Sequence, residues 1–116
     1  MNDRLDDVQF YKMAMLLWND CWNDTEILLK DVHGKEIAKQ LIRAIGSISA
    51  NIEEGYGKEY PQFLRLSRGS ARESKGWYIR SNFLLSEQVI KDRVDRLESI
   101  IKMETKTIET LNQKLK

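Results

Sequence analysis

Apolar residues recur every three or four positions along almost the whole of this chain, and no stretch alternates with a period of two. The first spacing puts side chains on one face of an α-helix, whereas a half-buried strand needs strict alternation. The pattern predicts an all-α fold. Breakers cluster at His33-Gly34 and from Gly55-Tyr56-Gly57 to Tyr60-Pro61, cutting the chain into pieces of helix length.

The first piece, about 8–30, presents Val8, Tyr11, Met15, Trp18 and Trp22 as an apolar face. Asn23-Asp24-Thr25 is a candidate interruption, because such residues favour caps over helix interiors. The second piece, about 35–55, aligns Ile37, Leu41, Ile45, Ile48 and Ile52, and Gly55 is suited to a left-handed helix end. Pro61 suits the first turn of a third helix, read to about Leu85 through Phe63, Leu66, Trp77 and Leu84. Ser86 is a candidate cap for a fourth. There Ile90, Val94, Leu97, Ile101, Ile108, Leu111 and Leu115 keep a heptad seam, with Glu104 its one charged member.

Four amphipathic helices with short connections predict one domain, residues 1–116, folded as an antiparallel up-down-up-down four-helix bundle. The small side chains of SRGSARESKG (67–76) predict a tight helix crossing. The long heptad stripe has two readings: it serves the bundle core alone, or it also leaves surplus apolar surface for a second subunit.

The residues that chemistry requires are scarce. His33 is the only histidine and Cys21 the only cysteine, too few for a zinc site or for the paired Glu-x-x-His motifs of carboxylate-bundle iron proteins. Cys21, beside Trp22 on an apolar helix, reads as a buried small hydrophobe. Glu53 and Glu54 are adjacent and point about 100° apart on a helix, so they do not form a matched acid/base pair. Neither a phosphate-cradling glycine loop nor a nucleophile elbow is present. The expectation is no catalytic residue, no metal, no cofactor and no enzyme. No apolar run approaches the roughly 18–20 residues of a membrane span, and the acidic MNDRLDDVQF start lacks signal-peptide order, so no membrane association and a cytoplasmic location are expected.

Charge is sorted rather than abundant. The chain nets +1, yet residues 60–85 carry five cations and one anion while residues 1–31 carry three cations and seven anions. Arg65, Arg68, Arg72 and Lys75 follow a three-four-three spacing that stacks them on one helix face, a candidate phosphate-binding row. Lys58, Lys35, Lys39 and Arg43 extend it if the second and third helices are neighbours. Tyr60, Trp77 and Tyr78 are candidate base-stacking partners, each also a candidate core residue.

Residues 40–55, QLIRAIGSISANIEEG, and 63–73, FLRLSRGSARE, resemble the four-helix-bundle family of proteins encoded by intervening sequences in bacterial 23S rRNA genes. The family pattern is Q-L-x-R-A, S-I and N-I-A-E-G, then F-L, a small residue and G-S-x-x-E. Gln40, Leu41, Arg43, Ala44, Ser47, Ile48, Asn51, Ile52, Glu54 and Gly55 match the first part, and Phe63, Leu64, Gly69, Ser70 and Glu73 the second. Glu53 stands in place of the usual Ala, and Lys58 where Arg is frequent. The resemblance implies a homopentamer associated with RNA. A related branch, the accessory proteins of diversity-generating retroelements, implies an alternative in which the partner is a reverse transcriptase together with nucleic acid. Arg43, Asn51, Glu54, Ser70 and Glu73 are expected to form a structural polar network between the second and third helices, with a buried carboxylate against Arg43. The combined expectation is a non-enzymatic nucleic-acid-binding oligomer, RNA ahead of DNA, whose phosphates meet Arg65, Arg68, Arg72, Lys75 and Lys58.

Overall fold

Helices joined by links too short to lead the chain back to the same end must alternate in direction. The computed structural model describes residues 4–57 and 59–114. A 3-10 turn, Arg4–Asp7, precedes α1 (Gln9–Leu28), α2 (Val32–Gly55), α3 (Tyr60–Ile79) and α4 (Glu87–Lys114). A 20-residue helix such as α3 is about 30 Å long, and the longest link, residues 80–86, spans at most roughly 25 Å when extended. Each helix packs against its sequence neighbours, and α1 closes the ring on α4. The result is an up-down-up-down four-helix bundle of 49 × 29 × 21 Å, with no strand among the described residues.

The helix ends follow from particular side chains. Asp31 caps α2, accepting from the backbone N–H groups of His33 (2.8 Å) and Gly34 (3.1 Å), so the breaker pair forms the first turn of α2. A Cβ on Gly34 would lie 2.0 Å from Leu28 O, which reserves this position for glycine. Ser86 accepts from Val89 N–H at 3.2 Å, and Pro61 lies in the first turn of α3, both as expected. Gly55, in contrast, stays helical. The left-handed backbone falls on Gly57 (φ 127°), and Gly55 is required because a Cβ there would meet Phe63 Cβ at 2.1 Å. Helix α3 stops at Ile79 rather than near Leu85; Ser81 then ties the turn, donating to Trp77 O at 2.8 Å and accepting from Leu84 N and Leu85 N through its carbonyl.

The buried face of α1 is not the one that the large aromatics suggest. Phe10, Ala14, Leu17, Cys21, Asp24 and Leu28 point inward. Val8, Tyr11 and Trp18 pack at the flank, while Met15 and Trp22 are exposed. Asn23-Asp24-Thr25 does not break the helix. Thr25 Oγ1 donates back to Trp22 O at 2.8 Å, and Asp24 turns into the core. In α3, Ser67, Ala71 and Ser74 are buried, and Ser67 Oγ reaches Ile48 O of α2 at 2.9 Å, so small side chains bring the two backbones together. Leu66, by contrast, faces out. On α4 the buried residues are Leu97, Ile100, Glu104 and Ile108; Ile100 takes the inward place expected for Ile101, which with Ile90, Val94 and Leu111 is half-buried. Large exposed apolar side chains occur, among the described residues, on α1 (Met15, Leu16, Trp22 and Ile27), on α3 (Leu66 and Ile79) and at Val32 and Phe83, but not on α4. Among the described residues no helix is long and apolar enough to cross a membrane.

Candidate nucleic-acid interface

Three-four-three spacing keeps the basic row in line along α3, and packing decides which members reach solvent. Arg65 and Arg72 are exposed. Arg68 is half-buried: Nη1 donates to Thr105 Oγ1 of α4 at 3.0 Å, and Nε is buried without a hydrogen-bond partner. Lys75 leans across to Glu98, Nζ to Oε1 3.2 Å. A groove of about 470 Å³ opens between α3 and α4 at this point. Gly76, Ile79 and Ile101 line its apolar part, and Arg72, Lys75, Lys102 and Glu98 its charged part. Lys102 is the cation that sequence reading missed. It belongs to α4, and only the register of α4 against α3 brings it beside Arg72.

The other candidate cations go elsewhere. Lys35 and Lys39 line a second groove, also about 470 Å³, between α1 and α2, with Trp22, Leu29 and Ile42. Arg43 pairs with Glu73. Lys58 and Leu115 lie outside the described residues. The stacking candidates are engaged as well. Tyr78 is fully buried; Trp77 Nε1 donates to Glu73 Oε2 at 3.1 Å while its ring carries the Arg80 guanidinium at 5.0 Å; Tyr60 packs edge-on to Tyr56 at 5.2 Å.

Two buried polar groups, Asp24 and Glu104, take their surroundings from residues distant in the chain, which no local pattern shows. Asp24 is 3% exposed and accepts from Tyr78 Oη (2.6 Å), Arg93 Nε (2.8 Å) and Arg93 Nη2 (3.1 Å), which ties α1 to α3 and α4. Beside it, burial pushes the Cys21 thiol up to about 12, an inert state for a cysteine. Further along the core, Glu104 is fully buried and neither carboxyl oxygen has a hydrogen-bond partner. Burial raises its pKa to about 7, opposed only in part by the nearby Arg68 charge. Among the described residues no group of His, Cys, Asp and Glu is placed to hold a metal ion.

Two motif-bearing helices side by side, with Gly55 seated on Phe63, give the matched residues their geometry. The sequence profile of the family described as 23S rRNA-intervening sequence protein matches residues 6–106. The chain belongs to that family. A crystal structure from Bacteroides thetaiotaomicron VPI-5482, described as a protein with unknown function from the S23 ribosomal protein family, superposes with a TM-score of 0.76 at 19% identity. It covers 85% of this chain and 97% of its own, and at that identity it supports the fold. No curated protein matches. The motif residues of this intervening-sequence family member divide by role. Arg43 donates to Glu73 and, at 3.3 Å, to Gln40 Oε1, so helices α2 and α3 are linked across their surface. Asn51 Nδ2 donates within α2 to Ser47 O at 2.8 Å, the Ser70 carbonyl accepts from Ser74 Oγ at 2.8 Å, and Glu54 is exposed. Arg43 and Glu73 meet directly, and among the described residues no hydrogen bond joins Asn51, Glu54 or Ser70 to that pair. The Glu73 side chain is 40% exposed rather than buried.

Proposed function

We propose that this intervening-sequence family member is a non-enzymatic, cytoplasmic, nucleic-acid-binding protein, RNA ahead of DNA, whose α3–α4 face holds phosphates. The observation that carries the reading is the convergence of Arg72, Lys75 and Lys102 on one open groove in which Glu98 is the single lining anion. Arg65 adds an exposed charge on the same helix, while Arg68 serves as the inward anchor of the row. A small patch gains affinity when it is repeated in an oligomer. The exposed apolar residues of α1, with the α1–α2 groove, support assembly with further copies, for which the proposed state is the homopentamer. In ring order that groove is opposite the cationic one, so assembly through it leaves the phosphate face open.

The test is a salt titration of binding to structured RNA with wild type and the Arg72→Glu/Lys102→Glu variant, both residues lying at the groove rather than in the core. Each lost phosphate contact to single-stranded segments lowers the log–log salt slope by roughly 0.7. The variant should lose most affinity and flatten the slope. Equal affinity and slope would remove the face from consideration. The same apolar α1 surface favours a second reading, the retroelement accessory protein that docks on a reverse transcriptase. Both readings expect an oligomer, so binding to a retroelement reverse transcriptase separates them: a purified chain that captures the enzyme supports the second reading, and one that binds RNA but not the enzyme supports the first.

A further inference from the structure

The α3–α4 groove is more than a row of charges. Its lining is mostly apolar, with Ile79 and Ile101 contributing aliphatic surface beside Arg72 and Lys102, and it holds a carboxylate, Glu98. A site for phosphate alone gains nothing from a carboxylate or an aliphatic floor. Both suit a flat heterocycle attached to phosphates. Glu98 is half-exposed, and the Lys75 contact at 3.2 Å on Oε1 steadies its carboxylate without using all of its lone pairs. A carboxylate accepts two parallel N–H groups in bidentate fashion. Among the four RNA bases only guanine offers that pair, N1–H beside the N2 amino group. Adenine and cytosine set a ring-nitrogen acceptor next to their amine, and uracil flanks its single N–H with two carbonyls, so each of these turns lone pairs toward Glu98. In a duplex the guanine edge is already paired, so the base must be unpaired.

Resting on the phosphate-face reading, we propose that this groove receives one unpaired guanine of an RNA strand, its face on Ile79 and Ile101, its Watson–Crick edge on Glu98, and its flanking phosphates on Arg72 and Lys102. The signs of the groove match those roles: Arg72 and Lys102, side by side, for backbone, and one anion, Glu98, for a donor edge. A steered anionic strand is thereby held against a site that rejects three bases out of four by unpaired or repelling lone pairs.

The experiment uses the full-length protein and fluorescence anisotropy with short single-stranded oligouridine, the same strand carrying one central guanosine, and the same strand carrying inosine, which lacks the N2 amine. The guanosine strand should bind roughly tenfold tighter than oligouridine, with inosine between them. In Glu98→Gln the ratio of guanosine to uridine strands should fall to near one, whatever happens to the affinity for oligouridine. Equal binding of all three strands by wild type overturns the guanine site and leaves the phosphate face standing. A guanosine preference that persists in Glu98→Gln overturns its assignment to this groove. Free GMP binding as tightly as the guanosine strand overturns the choice of RNA as the source. If no strand binds, the phosphate-face reading fails, and the guanine site fails with it.

Discussion

Among the described residues the bundle buries a carboxyl group in two places, and it treats them in opposite ways. At one end Asp24 is enclosed by Tyr78 and both nitrogens of an Arg93 fork, each oxygen satisfied. Toward the other end Glu104 is just as deeply buried and has no donor at all, since the Ser67 hydroxyl that adjoins it gives its proton to Ile48 O. Ser67 and Tyr78 are eleven residues apart on α3, so the two sites are separated by about 16 Å within one core. A paired buried charge is costly to break and a lone buried carboxyl is costly to keep ionised. One end of the core is therefore locked by electrostatics, and the other stores an unsatisfied group.

The largest effect should come from breaking the locked end. Arg93→Met leaves Asp24 buried with only the Tyr78 hydroxyl, and stability should fall by about 3–5 kcal/mol in urea unfolding. A loss below about 1 kcal/mol would mean that Asp24 takes its solvation from elsewhere, and the contrast between the two ends would disappear.

Glu104 gives the opposite sign. Its folded pKa of about 7 lies above the ordinary 4.5, so the folded protein holds a proton that the unfolded chain has released. The Glu104 contribution to stability is greatest below the ordinary value, falls as pH rises toward about 7, and then levels off. Glu104→Gln removes the titration and should gain up to about 3 kcal/mol on wild type above neutrality, with the gain vanishing in acid. Urea midpoints of both proteins across that pH range measure it. A difference independent of pH would show that packing, not charge, distinguishes the variant.

Tyr78→Phe sharpens the comparison within the locked end. It deletes a single 2.6 Å donor while keeping the ring, and a hydrogen bond to a charged acceptor contributes roughly 2 kcal/mol. The Arg93 fork remains, so the loss should be well short of that for Arg93→Met. Equal losses would make the two donors one indivisible unit.

Helix number, order and antiparallel packing were all legible in the apolar spacing, because a 3.6-residue period leaves few other ways to bury four stripes. What spacing leaves open is which of two stripes on a helix faces inward. On α1 the large Tyr11, Met15, Trp18 and Trp22 drew the eye, yet the core takes the stripe with Ala14, Cys21 and Asp24, whose value lies in fitting closely and in meeting Arg93. The end of α3 was overrun because Leu84 and Leu85 keep the helical spacing while lying in a turn organised by Ser81. The basic row was visible on α3, but its complement was not. Lys102 and Glu98 become part of the groove through inter-helix register, information that no local pattern contains.

The smallest effect should come from the pair that sequence motifs make most conspicuous. Arg43 and Glu73 bridge α2 and α3, but their side chains are 55% and 40% exposed. Solvent screens such a pair, and exposed ion pairs contribute under about 1 kcal/mol. Glu73→Ala also deprives Trp77 Nε1 of its 3.1 Å acceptor, though on a half-exposed edge where water can replace it. The variant should therefore unfold within about 1 kcal/mol of wild type. A motif residue with so little stability to contribute would act instead on helix register or subunit assembly, which oligomer size by light scattering reads independently. If Glu73→Ala proves as damaging as Arg93→Met, then bridging two helices matters more than burial, and the distinction drawn between core and surface pairs in this bundle is wrong.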